Sequence, residues 1–414
     1  NFTLPDISNP PKLTRLGLPI MKNVSTFERS VMPTSGANPQ IEVPALWRGK
    51  FNNGLQIIGT ENSETPTVSL LLSIEGGPLL DPIEKAGLAS LTASLMNEGT
   101  TNYIKEELSN ELAKLGSDIS ISANSLVKNL DATLLLMLDM MLNPAFEEND
   151  FNRVKNQLIQ MLEQGNKDAQ TLASRAQKQV IYGENNRVGL ADEGTIKTVS
   201  TITLEDVKRF YQTYFSPKHA SLVVVGDISK NELLPKLDYL KSWQGKGYSI
   251  PTHKEFPQIM PNKLYFVDLL NAMNYPLGSA FNSRINLNLR EDKGYTYGAS
   301  SYFVAGKTLG RFVAGASVKK EHTFDAMIEI EQELDNYQKN GLTQEEVNFM
   351  RQAISQNEAL SYETPRKKSG FLRQLLQFNL PENYSEQQNN IITSITKKEL
   401  SDIAKKELSQ PMQW

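Results

Sequence analysis

Apolar and polar positions divide the chain into short alternating runs and longer stretches in which apolar residues return every three or four positions. Leu55-Gln-Ile-Ile-Gly and Thr67-Val-Ser-Leu-Leu-Leu-Ser-Ile read as strands, flanked by the turn signals Asn53-Gly54 and Gly76-Gly77-Pro78. Helices are expected over residues 84–97, 103–115, 132–142 and 147–165, the last two parted by Asn143-Pro144. Residues 119–123 read as a strand, Thr203 opens a helix that ends near Tyr214, and a further strand covers residues 220–225. Ahead of these, residues 1–40 are rich in Pro, Asn and Ser and have little periodicity, which describes an extended lead-in lying across a surface.

The pattern then repeats. The segment TITLEDVKRFYQTYFSP from Thr201 matches SITKKELSDIAKKELSQP from Ser394, with Thr203 over Thr396. Each Thr is an expected N-cap with an acid three residues on, Asp206 or Glu399. FEENDFNRVKNQ from Phe146 likewise pairs with LTQEEVNFMRQA from Leu342, at an offset of 196 against 193 for the first pair. Two offsets that close indicate one duplicated unit. The expected fold class is therefore α+β, with two homologous domains at 41–248 and 249–414, each a sheet with helices packed on one face. The copies are unequal. A strand is expected over residues 263–268, yet no second strand follows it before Leu270-Asn-Ala-Met-Asn-Tyr-Pro, and a hairpin partner is missing near Ser122-Ala-Asn-Ser-Leu126. Either those pieces have been lost or the sequence as it stands omits residues of the natural chain; unpaired buried edges favour the second.

Composition narrows the function classes. A chain of 414 residues with 39% apolar positions can bury two sizeable cores. A net charge of -4 and a pI near 5.7, with Lys and Arg scattered rather than striped, argue against nucleic acid or an anionic membrane as partner. The longest apolar runs are far too short to span a bilayer. The N-terminal Asn1-Phe-Thr-Leu-Pro lacks a basic-then-apolar signal pattern, so any export signal is expected to have been cut off or to have lain upstream. The absence of Cys excludes disulfides, thiolate metal sites and Cys nucleophiles together. The three histidines, His219, His253 and His322, are not at helical ligand spacing and read as surface or capping residues. No G-x-S-x-G elbow is present.

Two motifs carry the chemistry. GLASLTASLMNEGT, from Gly87, resembles the zinc helix of the insulinase/pitrilysin peptidases, the inverzincins, whose usual form is G-L-A-H-F-L-E-H-M-x-F-x-G-T. On a helix, positions four apart share a face, so two His can grip one zinc while the Glu before the second activates water. Here those positions are Ser90, Ala93 and Ser94, so the frame is kept without metal ligands or base. LNLREDKGYTYGASSYF, from Leu287, resembles the family's C-terminal R-x-x-x-G-x-x-Y motif, with Arg290, Gly294 and Tyr297 in the matching places. The family's third metal ligand, a Glu on the helix at 147–165, would fall near Gln160 or Glu163.

The resemblance covers residues from about 41 to the C-terminus and implies the processing-peptidase-like (LuxS-like metallohydrolase) fold. It implies a chain with no metal or cofactor of its own, in which an Arg fork holds peptide carbonyl oxygens and Tyr297 donates to the developing oxyanion. Zinc would then sit in a catalytic partner carrying H-x-x-E-H, either a separate subunit or the N-terminal half of the same precursor. The stretch from Phe27 to Leu55 resembles the joint before the C-terminal half in long bacterial members, so both arrangements stay open. Peptides are the implied substrates and the periplasm the implied compartment. The alternative is a scaffold or peptide-binding module like the family's core subunits in respiratory complexes. A pure scaffold has no reason to keep both Arg290 and Tyr297 correctly spaced, which favours the split site.

Overall fold

The computed structural model describes residues 43–119, 122–183, 185–251, 265–305 and 310–409. The lead-in at 1–40, His253 and most of the 249–264 stretch lie outside them. The first half builds a six-stranded sheet from β1 (Leu46–Lys50), β2 (Gln56–Glu61), β3 (Thr67–Ile74), β4 (Asp118–Ile119), β5 (Ser122–Leu126) and β6 (Ala220–Gly226). Its order is β1-β2-β6-β3-β5-β4, with β2 and β6 parallel and the other neighbours antiparallel. The central β6 reads ASLVVVG because both its faces are covered, and a strand buried on both sides needs no polar alternation.

Helices α1 (Leu88–Leu95), α2 (Lys105–Leu115), α3 (Leu130–Leu142), α4 (Glu148–Gly165), α5 (Ala169–Tyr182), α6 (Ile196–Thr201), α7 (Leu204–Tyr214) and α8 (Lys230–Lys236) complete this half. Leu222 and Val224 of β6 join a core with Leu134, Met137 and Met141 of α3. A smaller core gathers Leu88, Leu91 and Leu95 of α1, Phe151, Val154 and Leu162 of α4, and Val207 of α7.

The second half runs through α9 (Tyr265–Asn274), a π-type turn at Tyr275–Ser279, α10 (Arg284–Asn286), a second π-type turn at Leu287–Asp292, and the hairpin β7 (Ala299–Ala305) and β8 (Gly310–Ala316). It closes with α11 (Thr323–Asn340), α12 (Gln344–Ala359), α13 (Pro365–Phe378), α14 (Tyr384–Ser394) and α15 (Lys397–Glu407). Its core centres on Met273, Leu289, Ile330, Tyr337, Val347 and Leu400. The far face of the six-stranded sheet belongs to this half: Val223, Val225 and Ile58 pack with Leu372 and Leu375 of α13 and with Leu380 and Tyr384. Successive β6 side chains thus serve opposite layers, as the two-residue period of a strand requires.

The repeated segments fall on like elements. Thr203 caps α7 and Thr396 caps α15, each hydroxyl accepting from the amide three residues on, Asp206 or Glu399, at 3.2 Å. Phe146 and Leu342, both buried, each precede the N-cap residue of the next helix, Glu147 for α4 and Thr343 for α12. The 196-residue offset also superimposes the caps of α5 and α13, Asp168 and Thr364, and those of α1 and α10, Gly87 and Ser283.

Three element readings are corrected. Residues 265–268 are helical: Leu270 and Met273 of α9 are buried, and the Met273 carbonyl accepts from the buried Tyr337 hydroxyl at 2.6 Å, so tertiary packing overrides the β-propensity of Tyr265-Phe266-Val267. The single strand expected at 119–123 is a hairpin, with Asp118 opposite Asn124, and so the partner that looked missing beside Ser122–Leu126 is β4 on one side and β3 on the other. The helix expected at 84–97 begins only at Leu88, because Gly87 takes a left-handed conformation (φ 101°) after a tight turn at Ile83–Lys85.

Candidate functional site

The start of α1 is held from outside the helix. Asp81 is buried, and its two carboxylate oxygens accept from the Gly87 and Ala89 amides at 2.9 and 2.8 Å, taking the part that a capping residue would play. Arg187 reaches the same carboxylate at 3.0 Å and also donates to the Ala191 and Asp192 carbonyls. Burial pushes the Asp81 carboxyl above its ordinary range, against the pull of the two amides and of Arg187. Just upstream, Lys85 pairs with the buried Asp206 of α7, whose other oxygen takes Arg209 at 2.5 Å. Burial alone would raise Asp206, but hydrogen bonds from Lys85 and Thr203 outweigh it and hold the group at about 2.

The helix that carries Ser90, Ala93 and Ser94 is therefore firmly held at its start. Ala93 and Ser94 are exposed and Ser90 is half-buried. Ser94 Oγ donates to the Ser90 carbonyl at 3.0 Å and Ser90 Oγ to the Asp192 carbonyl at 3.1 Å, so both hydroxyls are engaged with backbone. Gln160 and Glu163 are exposed on α4, which packs beside α1. No group of three His, Cys, Asp or Glu able to hold a metal occurs among the described residues. Ser90, Ala93 and Ser94 do not fit a zinc ion, since two hydroxyls and a methyl offer neither imidazole nor carboxylate. The two described histidines are occupied elsewhere: His219 Nε2 accepts from the Tyr248 amide at 3.0 Å, and His322 stacks on Tyr295 at 4.5 Å.

The second motif is displayed on the surface of the other half. Arg290 lies in the wide turn at Leu287–Asp292, at the position that the 196-residue offset equates with Ser94. Its guanidinium sits 4.4 Å above the Phe281 ring, with Glu291 Oε1 3.4 Å from Nη1. That Nη1 is shielded from solvent and has no hydrogen-bond partner among the described residues. Gly294 then turns the chain with φ 65°, where open space rather than crowding surrounds it, so glycine serves the backbone conformation. The Thr296 hydroxyl ties this exit to the Ser317 carbonyl at 2.8 Å. Tyr297 follows just before β7 and is 100% exposed. No hydrogen bond or ring contact joins Tyr297 to Arg290 among the described residues.

Sequence reasoning singled out the helix with Ser90, Ala93 and Ser94 and the pair Arg290 and Tyr297 but missed the residues that hold the start of that helix. Arg187 and Lys85 carry no local signal, because their partners Asp81 and Asp206 lie 106 and 121 positions away, and Asp81, six and eight residues before the amides it caps, stands outside the usual N-cap position. The 196-residue offset was legible, and it alone could have placed Arg290 over Ser94.

Residues 57–187 match the insulinase (peptidase family M16) domain, and residues 201–269 and 265–354 match the peptidase M16 inactive domain. The chain belongs to the insulinase family. Among relatives, the "non-peptidase homolog YmxG" of Helicobacter pylori is 24% identical over 88% of this chain and 92% of its own. A crystal structure of a peptidase M16 inactive domain from Pseudomonas fluorescens has the same fold, with TM-score 0.80, 21% identity and coverage of 87% of this chain and 94% of the other. The periplasmic protease PqqL of Escherichia coli superposes with TM-score 0.69 and 19% identity, covering 89% of this chain but only 46% of that one. The match to the inactive domain and the likeness to the non-peptidase homolog make this a non-catalytic member of the family. No described helix is long and apolar enough to cross a membrane.

Proposed function

We propose that this chain is the non-catalytic component of a zinc-dependent peptidase, supplying Arg290 and Tyr297 to a partner that carries the intact H-x-x-E-H. The observation behind this reading is Tyr297: a fully exposed tyrosine contributes nothing to a core, yet it stands seven residues after Arg290, whose guanidinium stacks on the Phe281 ring beside Glu291. A Tyr hydroxyl can donate to the oxygen that becomes negative as water attacks a peptide carbonyl, and the Arg fork can hold neighbouring carbonyls. The substrates in this reading are peptides. The division into units at 41–248 and 249–414 belongs to the same proposal, as does a periplasmic location. The partner is a separate subunit or a fused half; the match to less than half of PqqL is consistent with the fused form.

The test is reconstitution with the H-x-x-E-H partner and comparison of peptide hydrolysis by wild type and Tyr297→Phe. Loss of the single donor should lower kcat about 100- to 1000-fold while association and folding are unchanged. Arg290→Lys, which keeps the charge and loses the fork, should weaken peptide binding as well. Equal rates for wild type and Tyr297→Phe would favour a scaffold or peptide-binding module that takes no part in hydrolysis.

A further inference from the structure

We infer that Phe281 and Asn286 are positioning residues that set the Arg290 guanidinium relative to Tyr297, an inference that rests on the reading of that pair as groups offered to a peptide. Phe281 is 74% exposed in the turn before α10, so burial of its ring does not explain its place there. What the ring touches is Arg290, whose Cζ lies 4.4 Å from its centroid, well inside the reach of a cation–π contact. A guanidinium stacked by one face keeps its N–H edges free, and a planar fork held in one plane loses less freedom when it meets a carbonyl. Nη1 is shielded from solvent beside Glu291 Oε1, 3.4 Å away, so carboxylate and ring together restrain the plane of the fork.

The backbone beneath the ring is fixed by Asn286, a residue 3% exposed. Its Nδ2 donates to the Phe281 carbonyl at 2.5 Å and its Oδ1 accepts from the Ala299 amide at 2.9 Å. Ala299 begins β7, two residues after Tyr297. One side-chain amide on α10 thus joins the turn that carries Phe281 to the strand start that carries Tyr297, and Arg290 lies on the chain between them. The amide pairs a half-buried carbonyl and a buried backbone N–H at once, so the spacing is enforced from both sides.

Two readouts test this. In the full chain, rotation of the Arg290 guanidinium is followed by ¹⁵N NMR with arginine labelling in wild type, Phe281→Leu and Phe281→Tyr. Restrained rotation in wild type and Phe281→Tyr with faster rotation in Phe281→Leu is the expected result; equal rotation in wild type and Phe281→Leu overturns the inference. In the reconstituted peptidase, Phe281→Leu should raise KM about two- to five-fold with a smaller change in kcat, and Phe281→Tyr should restore it. An unchanged KM in Phe281→Leu, where Arg290→Lys does impair hydrolysis, also overturns it. If NMR shows the restraint and neither Phe281→Leu nor Arg290→Lys alters hydrolysis, the positioning stands and the reading of Arg290 as a substrate-holding group fails.

Discussion

At the scale of single residues, Ser90 and Ser94 spend their hydroxyls on the Asp192 and Ser90 carbonyls and Ala93 offers no base. The isolated chain should therefore bind no stoichiometric zinc and cleave no peptide, which metal analysis after gentle purification and a chelator-controlled peptidase assay would check. The buried Asp206 supports a pH prediction. Its carboxyl is held at about 2 against an ordinary 3.8, the hydrogen bonds from Lys85 and Thr203 having overcome the effect of burial. A depressed acid stabilises the fold above its unfolded-state value and loses that contribution as pH falls through its folded-state value. The shift corresponds to about 2 kcal/mol, present above about pH 4 and lost towards pH 2. Urea titrations should show Asp206→Asn less stable than wild type at pH 7, with the gap narrowing as pH falls below 4. Of these residues, the serines and alanine were legible because a familiar helix frame surrounds them. The ion pair to Lys85 was not, since 121 positions separate its members.

Among the elements, α1 shows how a short helix can be specified from outside itself. Its eight residues lack a capping side chain of their own, and Asp81 supplies the missing acceptors while Gly87 makes the turn. A Cβ at Gly87 would meet the Glu193 carbonyl oxygen at 2.5 Å, on a backbone with φ 101°. Gly87→Ala should therefore destabilise the protein by about 1–3 kcal/mol, read as a lower urea midpoint at unchanged slope. Most element types could be read from the chain: β2, β3 and β6 follow from short apolar runs between turn signals, and α7 and α15 from Thr caps with an acid three residues on. The start of α1 could not, because Asp81 caps it from outside the usual N-cap position, six and eight residues before the amides it accepts from, and is itself held by Arg187 from 106 positions away. The stretch from Tyr265 could not either, for its β-favouring residues are helical where Met273 meets Tyr337.

For the whole molecule, the consequential packing is that of α13 across the far face of the six-stranded sheet. Leu372 is fully buried there against a layer that includes Val223 and Val225. Leu372→Ala should cost about 2–5 kcal/mol, because a cavity at this boundary cannot close without moving a helix across a sheet. Chemical denaturation is the check, and a loss below about 1 kcal/mol would mean that this layer contributes little. By itself the sequence determined the α+β class, the helices capped by Thr203 and Thr396, and the resemblance to the insulinase family. Each of those is written in neighbouring residues, as a period, a cap or a spacing, and so survives without knowledge of the fold. Tertiary structure alone decided the sheet order with its parallel β2–β6 pair, the crossing of α13 and the hold of Arg187 on Asp81. It alone also decided the setting of Arg290 over Phe281. Those outcomes depend on which apolar or charged surfaces meet across tens to hundreds of residues, and local periodicity carries no information about the partner.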